Sequence, residues 1–160
     1  MANPAPKKPA SAGIPTSESL WLPPHYGVEV KHKGGLDKSV YWDVGEVVDF
    51  IFPKRFQPVY YQVACDFVML VLEKDWVTKK EIRDFLAKKG YSKSTLENKI
   101  IPKLVKFGLL KREREIEPGM GKGRALILSD SLTFSNYLER ISFAWNMLVS
   151  TSRKKKGKGP

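Results

Sequence analysis

The chain has 160 residues, 42% of them hydrophobic, and a formal net charge of +11 at pH 7. That length suits one domain with tails rather than two full domains, and the charge points to an anionic partner. One cysteine excludes an intrachain disulfide framework, two histidines argue against a structural zinc site, and the longest apolar run, Val63 to Leu72, is too short to cross a membrane.

Residues 1–19 are rich in Pro, Ala, Ser and Lys and lack hydrophobic periodicity, so they read as a disordered tail. They contain no apolar signal core, which predicts a cytoplasmic protein, nucleoid-associated if it binds DNA. Residues 20–56 form an aromatic-rich N-terminal extension with Trp21, Tyr26, Tyr41, Trp42, Phe50, Phe52 and Phe56. Within it, Val28–Val30 and Ser39–Trp42 alternate like short strands around a turn at Lys33-Gly34-Gly35-Leu36. Asp43 and Glu46 have the spacing of a capping box, which predicts a short helix to about Phe52, stopped by Pro53. This extension either covers one side of the core or contacts a protein partner.

Residues 57–129 carry the central domain. Pro58 to Lys74 reads as a helix that is apolar almost all round, as a central core helix should be. Cys65 within it reads as a small buried hydrophobe. Asp75-Trp76-Val77 is a short extended link. Thr78 and Glu81 form a second capping box before Ile82, Phe85 and Leu86, and Gly90 suits the left-handed cap at the end of that helix. The next helix opens either on a Ser94–Glu97 capping box or on Ser92. Leu96, Ile100, Leu104 and Phe107 step along one face and Gly108 closes it. Pro102 removes a hydrogen bond to the carbonyl of Asn98, which predicts a kink, or a break with Pro102 in the first turn of a second piece. Leu109–Glu117 reads as a strand, Gly119–Arg124 as a glycine-rich basic loop, and Ala125–Leu128 as the returning strand.

After Asp130 or Ser131 a long amphipathic helix runs to about Ser150, with Leu132, Tyr137 or Leu138, Ile141, Trp145 and Leu148 as its apolar stripe. Residues 151–160 carry five positive charges without an apolar anchor and read as a basic disordered tail.

Charge is not spread evenly over these elements. Between Lys74 and Arg124 stand fifteen Lys/Arg against seven Asp/Glu. A positive field confined to one supersecondary unit is what a polyphosphate surface needs. The alternative is a solvated lysine-rich face that serves only solubility. No catalytic constellation stands out. Gly119-Met120-Gly121-Lys122-Gly123 lacks the GxxxxGK[ST] pattern, no serine sits in a GxSxG elbow, and the carboxylates fall at caps or on charged faces. The expectation is a protein that is not an enzyme and uses no cofactor or metal.

The order helix, short strand, helix, turn, helix, hairpin over about residues 57–129 resembles the winged helix-turn-helix superfamily of DNA-binding proteins, in the style of the small MarR and PadR regulators. The carrying residues are Thr78–Leu86, Ser92–Thr95, Leu104–Leu110 and the loop Gly119–Arg124. The resemblance implies an α+β fold: a three-helix core with a β-hairpin wing, plus the N-terminal extension and a long C-terminal helix. It implies binding to double-stranded DNA, as a transcription regulator or nucleoid-associated protein. A helix entering the major groove presents polar residues near its N-terminus to base edges. Here these are Ser92, Lys93, Ser94, Thr95, Asn98 and Lys99, with Lys103 further along. Arg112, Arg114, Lys122 and Arg124 would follow the backbone or reach the minor groove. In many such regulators a C-terminal helix makes the dimer interface, and Tyr137, Leu138, Ile141, Trp145 and Leu148 suit that role. A homodimer would address half-sites about 34–36 Å apart. The alternative is a winged-helix adaptor subunit of a transcription, replication or ribosomal complex that binds RNA or protein.

Overall fold

A computed structural model of the protein describes residues 20–23, 37, 39–114 and 126–157. The chain divides into two compact units, with the boundary between Cys65 and Asp66, inside one helix.

The first unit is built on aromatic contacts. Helix α1 (Val44–Asp49) is opened by the expected box: the Asp43 carboxylate accepts from the Glu46 amide and Glu46 reaches back to the Asp43 amide. It ends before Phe52. The Asp49 carboxylate accepts from the amide of Lys54, so the following turns are held by a side chain instead of by further helix. Trp42 stacks on Phe50 with ring centroids 5.1 Å apart, and Trp21 meets the edge of Phe56 at 6.0 Å. Val48, Ile51 and Phe52 are buried. Ser39–Trp42 is not a strand. The Asp37 carboxylate accepts from both the amide and the hydroxyl of Ser39, which bends the chain into a turn that competes with extended pairing. The proposed partner, Val28–Val30, and the turn at Lys33 lie outside the described residues. Helix α2 (Pro58–Leu72) begins on a proline, whose missing amide costs nothing at a first position.

The second unit is α+β: helices, then a two-stranded antiparallel hairpin, then a long C-terminal helix. Helix α3 (Lys79–Lys89) carries the full Thr78–Glu81 capping box and ends on Gly90 at φ 70°. Helix α4 comes in three joined pieces: an α-turn Lys93–Thr95, a π-turn Leu96–Ile100 and an α-helix Ile101–Phe107. Ser92, rather than Ser94, is the cap, its hydroxyl accepting from the Thr95 amide.

The π-turn answers two features of the sequence at once. Pro102 has no amide for the Asn98 carbonyl, and its ring would collide with that carbonyl in a regular α-helix. The wider turn carries the Ile101 amide to the Leu96 carbonyl instead, five residues back. It also absorbs one extra residue, so Leu96, Ile100, Ile101 and Leu104 are all buried.

Gly108 closes α4 at φ 79°, with its amide on the Val105 carbonyl and the Leu109 amide on the Leu104 carbonyl. Strand β1 (Leu110–Arg114) pairs with β2 (Leu126–Asp130), Arg112 opposite Leu128. Val77, in the link between α2 and α3, adds a bridge to β2: its amide donates to the Leu128 carbonyl at 2.7 Å and the reverse bond is 3.0 Å. Phe67 and Phe85 meet at 5.6 Å within this unit's core. Cys65, expected in the interior, is only half-buried.

Helix α5 (Thr133–Lys155) extends through residues expected in the tail. Arg153, Lys154 and Lys155 in its last turn favour the negative end of the helix dipole. The start of α5 is tied to the α4–β1 turn: the Ser131 amide donates to the Leu109 carbonyl and the Phe134 amide to the Gly108 carbonyl. Beyond that anchor no residue of α5 is buried. Among the described residues no helix is long and apolar enough to cross a membrane.

Candidate nucleic-acid interface

The start of α4 is a polar surface built by its cap. Because Ser92 takes the capping role, Ser94 is released to the outside, and its hydroxyl accepts from the Asn98 side-chain amide at 3.2 Å. Glu97 is likewise freed from a capping box and lies 3.9 Å from Lys93, a loose pair one turn apart. Lys93, Ser94, Asn98 and Lys99 are exposed, and Thr95 is half-buried. Among the described residues Lys99 has no carboxylate partner.

Lys103 belongs elsewhere. It is only 7% exposed, three residues after buried Ile100 and next to buried Leu104, so it falls on the inner side of the helix. Its ammonium lies 6.0 Å from the centre of the Phe107 ring, and burial pushes its pKa below the ordinary lysine value. The expectation that Lys103 presents a charge to a groove is corrected: the extra residue of the π-turn rotates it inward.

On β1 the charged side chains are sorted by the strand alternation. Lys111 and Glu113 share one side and pair at 2.6 Å, and this contact raises the Lys111 pKa. Arg112 and Arg114 share the other side, exposed and, among the described residues, without a carboxylate partner. Lys122 and Arg124, expected at the loop tip, lie outside the described residues. The second unit therefore offers two cation-bearing surfaces on consecutive elements, the first turns of α4 and one side of β1.

A groove of about 380 Å³ within the same unit went unnoticed in the sequence. Its lining mixes four carboxylates, Asp66, Glu73, Glu81 and Asp84, with Lys74, Lys88 and Lys89, beside Met69, Leu70 and Phe85. It forms where the end of α2 meets α3, so no spacing along the chain signals it. Two of its carboxylates have internal work. Asp66 accepts from the Tyr91 hydroxyl at 2.6 Å and pairs with Lys89 at 3.0 Å. Glu81 accepts from Lys74 and from the Thr78 amide, and these bonds hold its pKa down to about 2. Among the described residues no cluster of three or more His, Cys, Asp and Glu is arranged to hold a metal ion.

No protein-family model, curated protein or solved structure matches the chain.

Proposed function

We propose that the second unit is a winged-helix module that binds double-stranded DNA, with the N-terminal half of α4 in the major groove and the β1–β2 hairpin on the flanking backbone. The observation that carries this reading is the Val77–Leu128 bridge. It completes the order helix, short strand, helix, helix, hairpin, in which the short strand joins the edge of the hairpin. That order puts the start of α4 and the hairpin side by side along the chain, both carrying exposed cations. Ser94 and Asn98, already bonded to each other, form a donor–acceptor group suited to a base edge, and an asparagine side chain matches adenine in two hydrogen bonds. Lys99, Arg112 and Arg114 supply sequence-independent attraction to phosphates. A role in transcription regulation or nucleoid organisation follows from such binding.

The test is binding of the full chain to duplex DNA, single-stranded DNA and structured RNA across a salt series, beside an Arg112→Ala/Arg114→Ala variant. The expected result is a duplex preference with a steep salt dependence. The double variant should bind every duplex more weakly, with a log–log salt slope shallower by about 1–2. Unchanged binding by the variant would remove the hairpin from the interface. Preference for RNA, or no binding to free nucleic acid, would favour an adaptor subunit.

A further inference from the structure

The groove between the end of α2 and α3 is a slot clamped at both ends. Its residues from α2 and the turn that follows, Asp66, Met69, Leu70, Glu73 and Lys74, fall at i, i+3, i+4, i+7 and i+8. Those from α3, Glu81, Asp84, Phe85, Lys88 and Lys89, repeat that spacing, so each wall is one stripe of a helix. Two ion pairs cross the slot and set the walls antiparallel. Lys74 pairs with Glu81 at one end, and Lys89 pairs with Asp66 at 3.0 Å at the other. The Tyr91 hydroxyl donates to Asp66 at 2.6 Å and fixes that second end. Between the clamps the lining is apolar, with Met69 45% exposed. Glu73, Asp84 and Lys88 are exposed, and among the described residues none of these three side chains has a hydrogen-bond or ion-pair partner.

We infer that this groove binds a helical segment of a partner protein. The segment sets an arginine or lysine against Glu73 and Asp84, an apolar residue on Met69 and Leu70, and a carboxylate toward Lys88. Three observations choose this occupant. First, charge. The chain as a whole is +11, yet the lining carries four carboxylates against three lysines. Two carboxylates and two lysines are spent on the clamps, which leaves two acids and one lysine to meet a ligand. That remainder repels a phosphate backbone and attracts a cationic side chain, whose apolar stem suits the floor.

Second, spacing. Asp84 and Lys88 stand one turn apart, about 6 Å along α3, and a helix presents opposite charges at that interval at its own positions i and i+4. From Asp66 to Lys74 the slot is about 12 Å long at 1.5 Å per residue, room for two turns of helix. Both walls carry the helical ridge pattern into which a third helix packs.

Third, the apolar surface continues beyond the slot. Leu72 and Trp76, past the last apolar residue of the α2 wall, are 56% and 52% exposed. A small ligand held within about 380 Å³ leaves them uncovered. A helix that runs on past the Lys74–Glu81 end covers them, and tryptophan is a frequent anchor of such interfaces.

No residue of the groove belongs to α4 or β1, so the inference does not rest on the DNA reading. The experiment uses the full chain without nucleic acid. A display library of random four-turn helical peptides is selected on the wild-type protein and depleted on a Glu73→Lys/Asp84→Lys variant. Enriched peptides should carry arginine or lysine within one turn of an aliphatic or aromatic residue. By fluorescence anisotropy, a labelled member should bind Asp84→Lys about tenfold or more weakly than wild type, the worth of one charge-assisted contact. Met69→Ser should weaken it as well. Glu97→Lys/Glu139→Lys makes the same change of charge at exposed positions outside the groove and should bind as wild type does. All these substitutions are at exposed residues, and thermal unfolding verifies each fold. No enrichment, enriched peptides without a basic residue, equal binding to wild type and Asp84→Lys, or an equal loss in the Glu97→Lys/Glu139→Lys control would each overturn the inference. Displacement of the peptide by equimolar free arginine would also overturn it, by assigning the groove to a small ligand.

Discussion

Glu81 is the residue whose electrostatics are most clearly set by its neighbours. It closes the capping box of α3 and accepts from Lys74, and its pKa falls from an ordinary 4.5 to about 2. A carboxylate with a depressed native pKa stabilises the folded state above its unfolded pKa, and that contribution is lost as pH falls through the native value. Denaturation midpoints of the wild-type chain should therefore decline between pH 4.5 and about 2. Glu81→Gln should be less stable at pH 7 and show a flatter decline in that window, measured by urea titration at a series of pH values. Identical pH profiles for the two proteins would show that Lys74 and Thr78 hold the carboxylate without contributing to stability. The same scale shows where single residues mislead. Lys99 and Lys103 are both lysines of one helix, yet Lys99, inside the π-turn Leu96–Ile100, is exposed and Lys103, in the α-helical piece that follows, is buried.

Between elements, the joint that matters most is the α4–β1 turn, where the base of α5 docks. Gly108 and Gly90 both have positive φ. A Cβ at Gly90 would meet nothing within 4 Å, whereas one at Gly108 would lie 2.7 Å from Thr133 Cβ. Alanine at Gly90 should cost about 1 kcal/mol from backbone conformation alone. Gly108→Ala adds overpacking against the start of α5, a further cost of about 1–3 kcal/mol. The difference between the two variants in urea unfolding measures how tightly α5 is held to the turn, and equal costs would mean that its start yields freely. The caps at Asp43, Thr78, Gly90 and Gly108 could all be read from the chain, because each depends on residues within four positions. The strand proposed at Ser39–Trp42 failed for the same local reason in reverse: Asp37, two residues upstream, captured the backbone of Ser39.

On the scale of the whole molecule, the proposed duplex binding predicts a nuclease footprint on a selected duplex that the Arg112→Ala/Arg114→Ala variant weakens, and an unchanged footprint would remove the hairpin from the interface. The clustered charge, the α+β class with its hairpin and long last helix, and the apolar stripe of α5 were determined by the sequence itself, since each rests on composition or on short-range periodicity. Only the tertiary structure decided that Val77 joins β2, that a π-turn sets which lysines of α4 face outward, that a groove lined by both carboxylates and lysines forms between the end of α2 and α3, and that α5 leaves its anchor with its apolar face uncovered. Those outcomes depend on pairing and burial between residues distant along the chain, where the competition is settled by packing and not by local preference.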